Sequence, residues 1–220
     1  MIIHSFQQLK AYQRAHREHW NKGLSLRVHR ALSWLHKAEQ ERAKEDTDSE
    51  FIFLWIAFNA AYASQHSQES RTNESKVFFQ FLERIVECDK EKQLYELIWS
   101  HYSGAIRALL DNHFVYQPFW DCINKVEPCD SWQSSFASAK RASHQALATQ
   151  NVPLSLSLVL NRLYTLRNQL IHGGATWQGK LNREQLKNAT AILRHIVPIV
   201  IDIMMKQGHE HWGSAVYFVE

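Results

Sequence analysis

The segment Phe51–Ala63, FIFLWIAFNAAYA, constrains the fold more than any other part of the chain. On a helical wheel it is apolar on every side except at Asn59, and a helix of that kind has to be covered by neighbouring elements on most of its surface. The covering elements are themselves expected to be helices. Only 7 Gly and 4 Pro occur in 220 residues, too few for the many turns of an all-β fold. Strong helix formers such as Ala, Leu, Gln, Glu, Lys and Arg are plentiful. The expectation is therefore an all-α protein with Phe51–Ala63 as its central helix. A hydrophobic content of 45% in this length is ample for a buried core. No repeat, low-complexity tract or linker divides the sequence, so a single domain over 1–220 is expected, with a core at approximately 24–206, a short N-terminal extension and a C-terminal tail.

The surrounding helices can be read from their spacing. Leu24, Val28, Ala31, Leu32, Leu35 and Ala38 recur on one helical face, and the charged run KAEQERAKED solvates the end. EDTDSE offers Asp and Ser caps, so the central helix should open near Ser49 or Glu50. Asn73 is positioned to cap a third helix carrying Val77, Phe78, Phe81, Leu82 and Ile85. A fourth runs through DKEKQLYELIWSHYSGAIRALLDN with an interruption near Gly104, the stretch between Pro118 and Pro128 reads as irregular, and DSWQSSFASAKRASHQALA reads as a further helix. Leu154, Leu156, Leu158 and Leu160 alternate like a strand, but continuation through Leu163, Leu170 and Ile171 makes a helical stripe, with Pro153 in the first turn and Gly173 or Gly174 at the end. The last helix has Asn182 and Gln185 at capping-box spacing, ends before Gly208 and contains Pro198.

Charge and cysteine content narrow the setting. Lys and Arg at 25 are nearly matched by Asp and Glu at 22, so a net charge of +3 permits a polyanionic partner without demanding one. Cys88, Cys122 and Cys129 lack the paired spacing of a zinc site or disulfide framework and read as reduced core thiols. The N-terminus has no basic leader followed by an apolar run, and no stretch approaches about 18 uncharged apolar residues, so the expectation is a cytoplasmic protein without a membrane segment. His209 and His211 in the tail are too few to make a metal site, and no metal or cofactor is expected.

The candidate chemistry lies in LYTLRNQLIHGG, Leu163 to Gly174. Spacing alone singles out nothing, because Arg14 with His19, Arg30 with His36 and Arg107 with His113 have nearly the same separation as Arg167 with His172. Context distinguishes the last pair. Arg167 falls within an apolar stripe, where a permanent charge needs a partner or a ligand. His172 stands at the helix end, and histidine can take and return a proton near neutral pH. Gly173 and Gly174 would let a bulky ligand such as a phosphodiester approach the backbone.

RNQLIHGG, together with RVHRALSWLHKAE and FIFLWIAFNAAYA, resembles the HEPN superfamily (higher eukaryotes and prokaryotes nucleotide-binding), in particular stand-alone bacterial members with an Arg-Asn-x3-His-Gly signature. The resemblance covers roughly Leu24 to Met205. It implies a HEPN-like bundle with a four-helix core and additional helices, a homodimer in which two Arg-x(4–6)-His motifs face each other, and metal-independent cleavage of RNA in toxin–antitoxin or antiviral systems, with an antitoxin as a further partner. Arg167 and His172 match the family's motif residues and are the implied catalytic pair; Asn168 matches the polar residue that follows the arginine. Asn59 and Tyr62, on the helix expected beside the motif, are available to orient the arginine or contact the ligand, the alternative being a satisfied core amide and a core aromatic; Gly173 is a further supporting or substrate-binding residue. Arg71, Lys76, Arg141 and Arg162 are available to line an RNA path. The alternative expectation is a non-catalytic HEPN module that binds RNA, a nucleotide or a protein partner.

Overall fold

The structure, a computed structural model, describes residues 4–63, 71–124, 132–180, 182–210, 212, 213 and 215, the side chains of 71–74 excepted. The all-α expectation is met: ten α-helices and no strand occur among the described residues. They are α1 (Phe6–His16), α2 (Lys22–Arg42), α3 (Thr47–Tyr62), α4 (Arg71–Cys88), α5 (Gln93–Glu96), α6 (Ser103–Leu110), α7 (Gln117–Ile123), α8 (Trp132–Ala148), α9 (Val152–Ile171) and α10 (Arg183–Lys206).

The chain divides into two compact units, one of Met1–Leu94 with Thr190–Glu220 and one of Tyr95–Ala189. In the first, α2 packs along α3. The wheel pattern of α2 buries Leu24, Val28, Ala31, Leu32, Leu35 and Ala38, as its spacing requires. No residue from Glu50 to Ala63 is exposed, so the all-round apolar segment is enclosed on all sides, Asn59 being half-buried. The helix opens at Thr47, earlier than Ser49, because Asp46 accepts from the Ser49 amide at 3.1 Å and from its hydroxyl at 2.7 Å. Two charges are taken inside with partners. Glu50, 3% exposed, receives both arms of Arg194 at 2.7 and 2.8 Å. Arg27, fully buried, donates to the Ala61 carbonyl at 2.8 Å and the Gly213 carbonyl at 3.2 Å, and burial pulls its pKa down to about 10. The third helix starts at Arg71, which puts Asn73 inside it rather than at its cap.

The second unit begins within α5, which leads into a π-helical turn at Leu97–His101 and breaks at Tyr102 before α6, close to the interruption expected near Gly104. The stretch after Pro118 is not irregular throughout, because α7 runs from Gln117 with Pro118 in its first turn, where its missing amide hydrogen costs nothing; Pro128 lies outside the described residues. The cysteine expectation is corrected in part. Cys88 is a free thiol, whereas Cys122 is disulfide-bonded, and Cys129 lies outside the described residues. One described helix, α10, is long and apolar enough by length and composition to cross a membrane, but 78% of its most apolar window is buried inside the protein, the pattern of a core helix.

Candidate functional site

The candidate site is the C-terminal end of α9. The helix starts where Asn151 accepts from the Leu154 amide at 3.0 Å, with Pro153 in the first turn. Leu156, Val159, Leu160, Leu163 and Leu166 are buried, and they fix the rotation of the helix. Arg162 belongs to that buried side. It is 6% exposed, donates to the Leu110 carbonyl at 3.3 Å and lies over the rings of Tyr116 at 4.6 Å and Phe136 at 5.6 Å. Desolvation lowers its pKa, opposed by Tyr116 and Asp111. Arg162 is therefore a packed core cation and not a residue lining an RNA path. Lys76 and Arg141 are exposed, and the side chain of Arg71 is outside what the structure describes.

Past Leu166 the burial changes. Arg167, Asn168 and Leu170 are half-buried, and Ile171, His172, Gly173 and Gly174 are exposed. The apolar stripe therefore does not continue inward to Ile171, which is 48% exposed. At 100° per residue, Tyr164, Arg167, Asn168 and Ile171 fall within an arc of about 100°. Within that arc the Arg167 guanidinium donates from Nη1 to Asn168 Oδ1 at 3.0 Å and lies 5.9 Å over the Tyr164 ring. Its Nε is shielded from solvent and has no hydrogen-bond partner, an arrangement that costs free energy unless a further acceptor arrives. His172 lies about 140° around the helix axis from Arg167. No hydrogen bond joins the two within the chain among the described residues.

The helix ends in a Schellman arrangement. Gly173 has φ +70°, its amide donates to the Leu170 carbonyl at 3.2 Å, and the Gly174 amide donates to the Gln169 carbonyl at 2.7 Å. Gly173 is thus required by the backbone, in the left-handed conformation that glycine adopts without penalty. The amide of His172, the residue before it, donates to the Asn168 carbonyl at 3.0 Å, and the residue is exposed to solvent.

Gln169 is the residue that sequence reasoning missed. Its Nε2 donates to the Phe114 carbonyl at 2.7 Å, and its Oε1 accepts from Asn182 Nδ2 at 3.0 Å. With the Gly174 bond, one residue ties together the His113–Val115 turn, the glycine turn and the start of α10. Nothing local to Gln169 announces this, because its main partner lies 55 residues earlier.

Asn59 and Tyr62 belong to the other unit. The contacts described for them are made within it: the Asn59 carbonyl accepts from the Ala63 amide at 2.8 Å, and the Tyr62 ring packs on Phe58, Phe78 and Phe81. Tyr62 also lines a cavity of about 460 Å³ with Phe81 and Trp212. His209 is exposed and His211 is outside the described residues. Among the described residues no three His, Cys, Asp or Glu side chains are grouped so as to hold a metal ion.

The end of α9 therefore offers a cation with a solvent-shielded, unpartnered Nε donor, an amide beside it, and an accessible imidazole at the glycine turn. An oxyanion such as a phosphodiester would satisfy the first, and a proton transfer suits the last. Comparison with protein-family models, with curated proteins and with solved structures finds no match for the chain.

Proposed function

We propose that the chain is a HEPN-type endoribonuclease that works without a metal, as a homodimer formed through the α9 helices, with Arg167 and His172 as its catalytic pair. The observation that carries this reading is the state of Arg167: a half-buried guanidinium over the Tyr164 ring whose Nε lacks a partner, on the same helix end as the exposed His172 five residues on. A cation left this way is a site for an anion, and the RNQLIHGG sequence makes a phosphodiester of RNA the anion of choice.

The chemistry follows from the two side chains. An imidazole takes the proton of a ribose 2′-hydroxyl, the 2′-oxygen attacks the adjacent phosphorus, and the P–O5′ bond breaks as a second imidazole delivers a proton to the leaving 5′-oxygen. Arg167 stabilises the charge that builds on the non-bridging oxygens. The products are a 2′,3′-cyclic phosphate and a 5′-hydroxyl. One chain supplies one His172, placed about 140° from Arg167 around the helix, so acid and base come from two copies. Their α9 ends meet across a two-fold axis through the face that holds Tyr164, Arg167, Asn168 and Ile171, an isologous arrangement. Asn168, hydrogen-bonded to Arg167, orients the guanidinium. The setting is that of toxin–antitoxin and antiviral ribonucleases, in the cytoplasm, with an antitoxin as the regulating partner.

Incubating the purified protein with mixed RNAs in EDTA tests the reading. It predicts fragments ending in 2′,3′-cyclic phosphate and no cleavage of the same RNAs carrying 2′-O-methyl groups. Cleavage that requires a divalent cation, or that proceeds on 2′-O-methyl RNA, overturns it.

A further inference from the structure

The net positive charge and, among the described residues, most of the exposed aromatic surface lie in the unit that carries the candidate site. Residues 95–189 hold nine Lys and Arg against six Asp and Glu, whereas the rest of the chain holds sixteen of each. The whole net charge of +3 therefore belongs to this unit. Among the described residues, six of the seven exposed large hydrophobic side chains lie in it as well, and three of those are aromatic: Phe114 at 43%, Tyr164 at 48% and Trp177 at 69% exposed. Tyr164 stands on the α9 face assigned to the dimer. Phe114 and Trp177 stand outside it.

Both are fastened to the end of α9 through Gln169. The Phe114 carbonyl accepts from Gln169 Nε2 at 2.7 Å and from Trp120 Nε1 at 2.8 Å, and its ring is backed by His113 at 4.1 Å and by Phe119, edge-on, at 5.6 Å. The ring is held rigidly from behind while much of it is left open, so it loses little conformational freedom when a flat group stacks on it. Trp177 lies on the loop whose two ends, Gly174 and Asn182, are both bonded to Gln169. Three residues from Gly174, it stays within roughly 10 Å of that anchor. A protein-docking patch of this size is usually contiguous and apolar. Here Phe114 and Trp177 lie on separate segments joined through Gln169, two residues from Arg167, in a unit of net positive charge, which suits a single-stranded nucleic-acid surface.

We infer that Phe114 and Trp177 are stacking platforms for unpaired bases of RNA, flanking the phosphate held at Arg167. The inference rests on the ribonuclease reading for the choice of RNA; the stacking role itself is independent of cleavage. Base stacking on aromatic side chains tolerates any base identity and is absent for paired bases, so the surface selects unpaired segments and not a sequence.

The test uses full-length His172→Ala protein, so that cleavage, if it occurs, does not consume the probe. Its affinity is measured by fluorescence anisotropy for a labelled 12-mer oligoadenylate, an abasic ribose-phosphate oligomer of the same length, and a 12-base-pair RNA duplex. The expected result is weakening of roughly tenfold or more on losing the bases, on pairing them, or on the further change Trp177→Ala. Phe114→Leu, which keeps bulk in the aromatic cluster while removing the ring, weakens binding by at least severalfold, with circular dichroism and melting unchanged in the Trp177→Ala protein. Equal affinity for the abasic oligomer, or for the duplex, overturns the inference, as does unchanged binding in both variants. So does a chain that binds no RNA and whose Trp177→Ala form dissociates from dimer to monomer, because the surface then belongs to a second copy. If wild-type protein never cleaves yet the base dependence holds, the ribonuclease reading fails and the stacking surface stands.

Discussion

At the scale of single residues, the end of α9 is controlled by Gly173 and Gln169 as much as by the two residues with chemistry. Gly173 sits at φ +70° with open space where a side chain would project, nothing lying within 4 Å of a Cβ placed there. Any loss of stability on substitution therefore reports backbone strain and not a clash. Gly173→Ala is expected to lower stability by about 1 kcal/mol, with Gly173→Asn closer to wild type, since Asn tolerates the left-handed region better. Urea denaturation checks this; unchanged stability of Gly173→Ala would show that the turn does not need the left-handed backbone. The glycine could be read from the sequence as a helix stop, and its Schellman bonds agree. Gln169 could not, because its importance depends on a carbonyl brought to it by the fold. Arg162 and Arg167 make the same point from the other side. They are five residues apart on one helix, yet Arg162 is packed between rings and a carbonyl while Arg167 keeps an unused donor. A wheel drawn on α9 alone does not know which neighbours cover which side.

At the scale of elements, α9 has two faces with different fates. Leu156, Leu160 and Leu163 are buried as their stripe required, whereas Tyr164 and Ile171 are open. An apolar residue on the open face beside a charged motif is where a two-fold partner is proposed to dock. Ile171→Arg would set two permanent like charges opposite each other across that axis. It is expected to turn the dimer into a monomer at about 10 µM by sedimentation while leaving the helical circular dichroism intact, because Ile171 packs little within its own chain. A wild-type protein that sediments as a monomer, or an Ile171→Arg protein that remains dimeric, would contradict the arrangement. The other elements were legible to different degrees. Helices with strong periodicity, α2 and α9, appear where their spacing put them. Element starts moved where a cap or a proline acted differently from expectation: Asp46 starts α3, Asn73 is overrun by α4, and Pro118 begins a helix where it had suggested irregular chain.

At the scale of the whole chain, composition pointed to an all-α protein, and the all-round apolar α3 lies buried as such a helix must. Composition could not reveal how the charge is partitioned. A net charge of +3 looks too small to attract RNA until it is found to reside entirely in the 95–189 unit, the one that carries the candidate site. The cysteines also escaped the sequence reading, since Cys122 is disulfide-bonded despite a spacing that suggested no framework. The proposed reaction depends on His172 moving protons in RNA cleavage. Its most direct test is the cleavage rate of wild type and His172→Ala on the same RNA in EDTA, at matched concentration and with melting temperatures compared. His172 is exposed, so the substitution is expected to leave the melting temperature unchanged while lowering the rate by roughly 10²–10⁴-fold. Equal rates from the two proteins would contradict the claim.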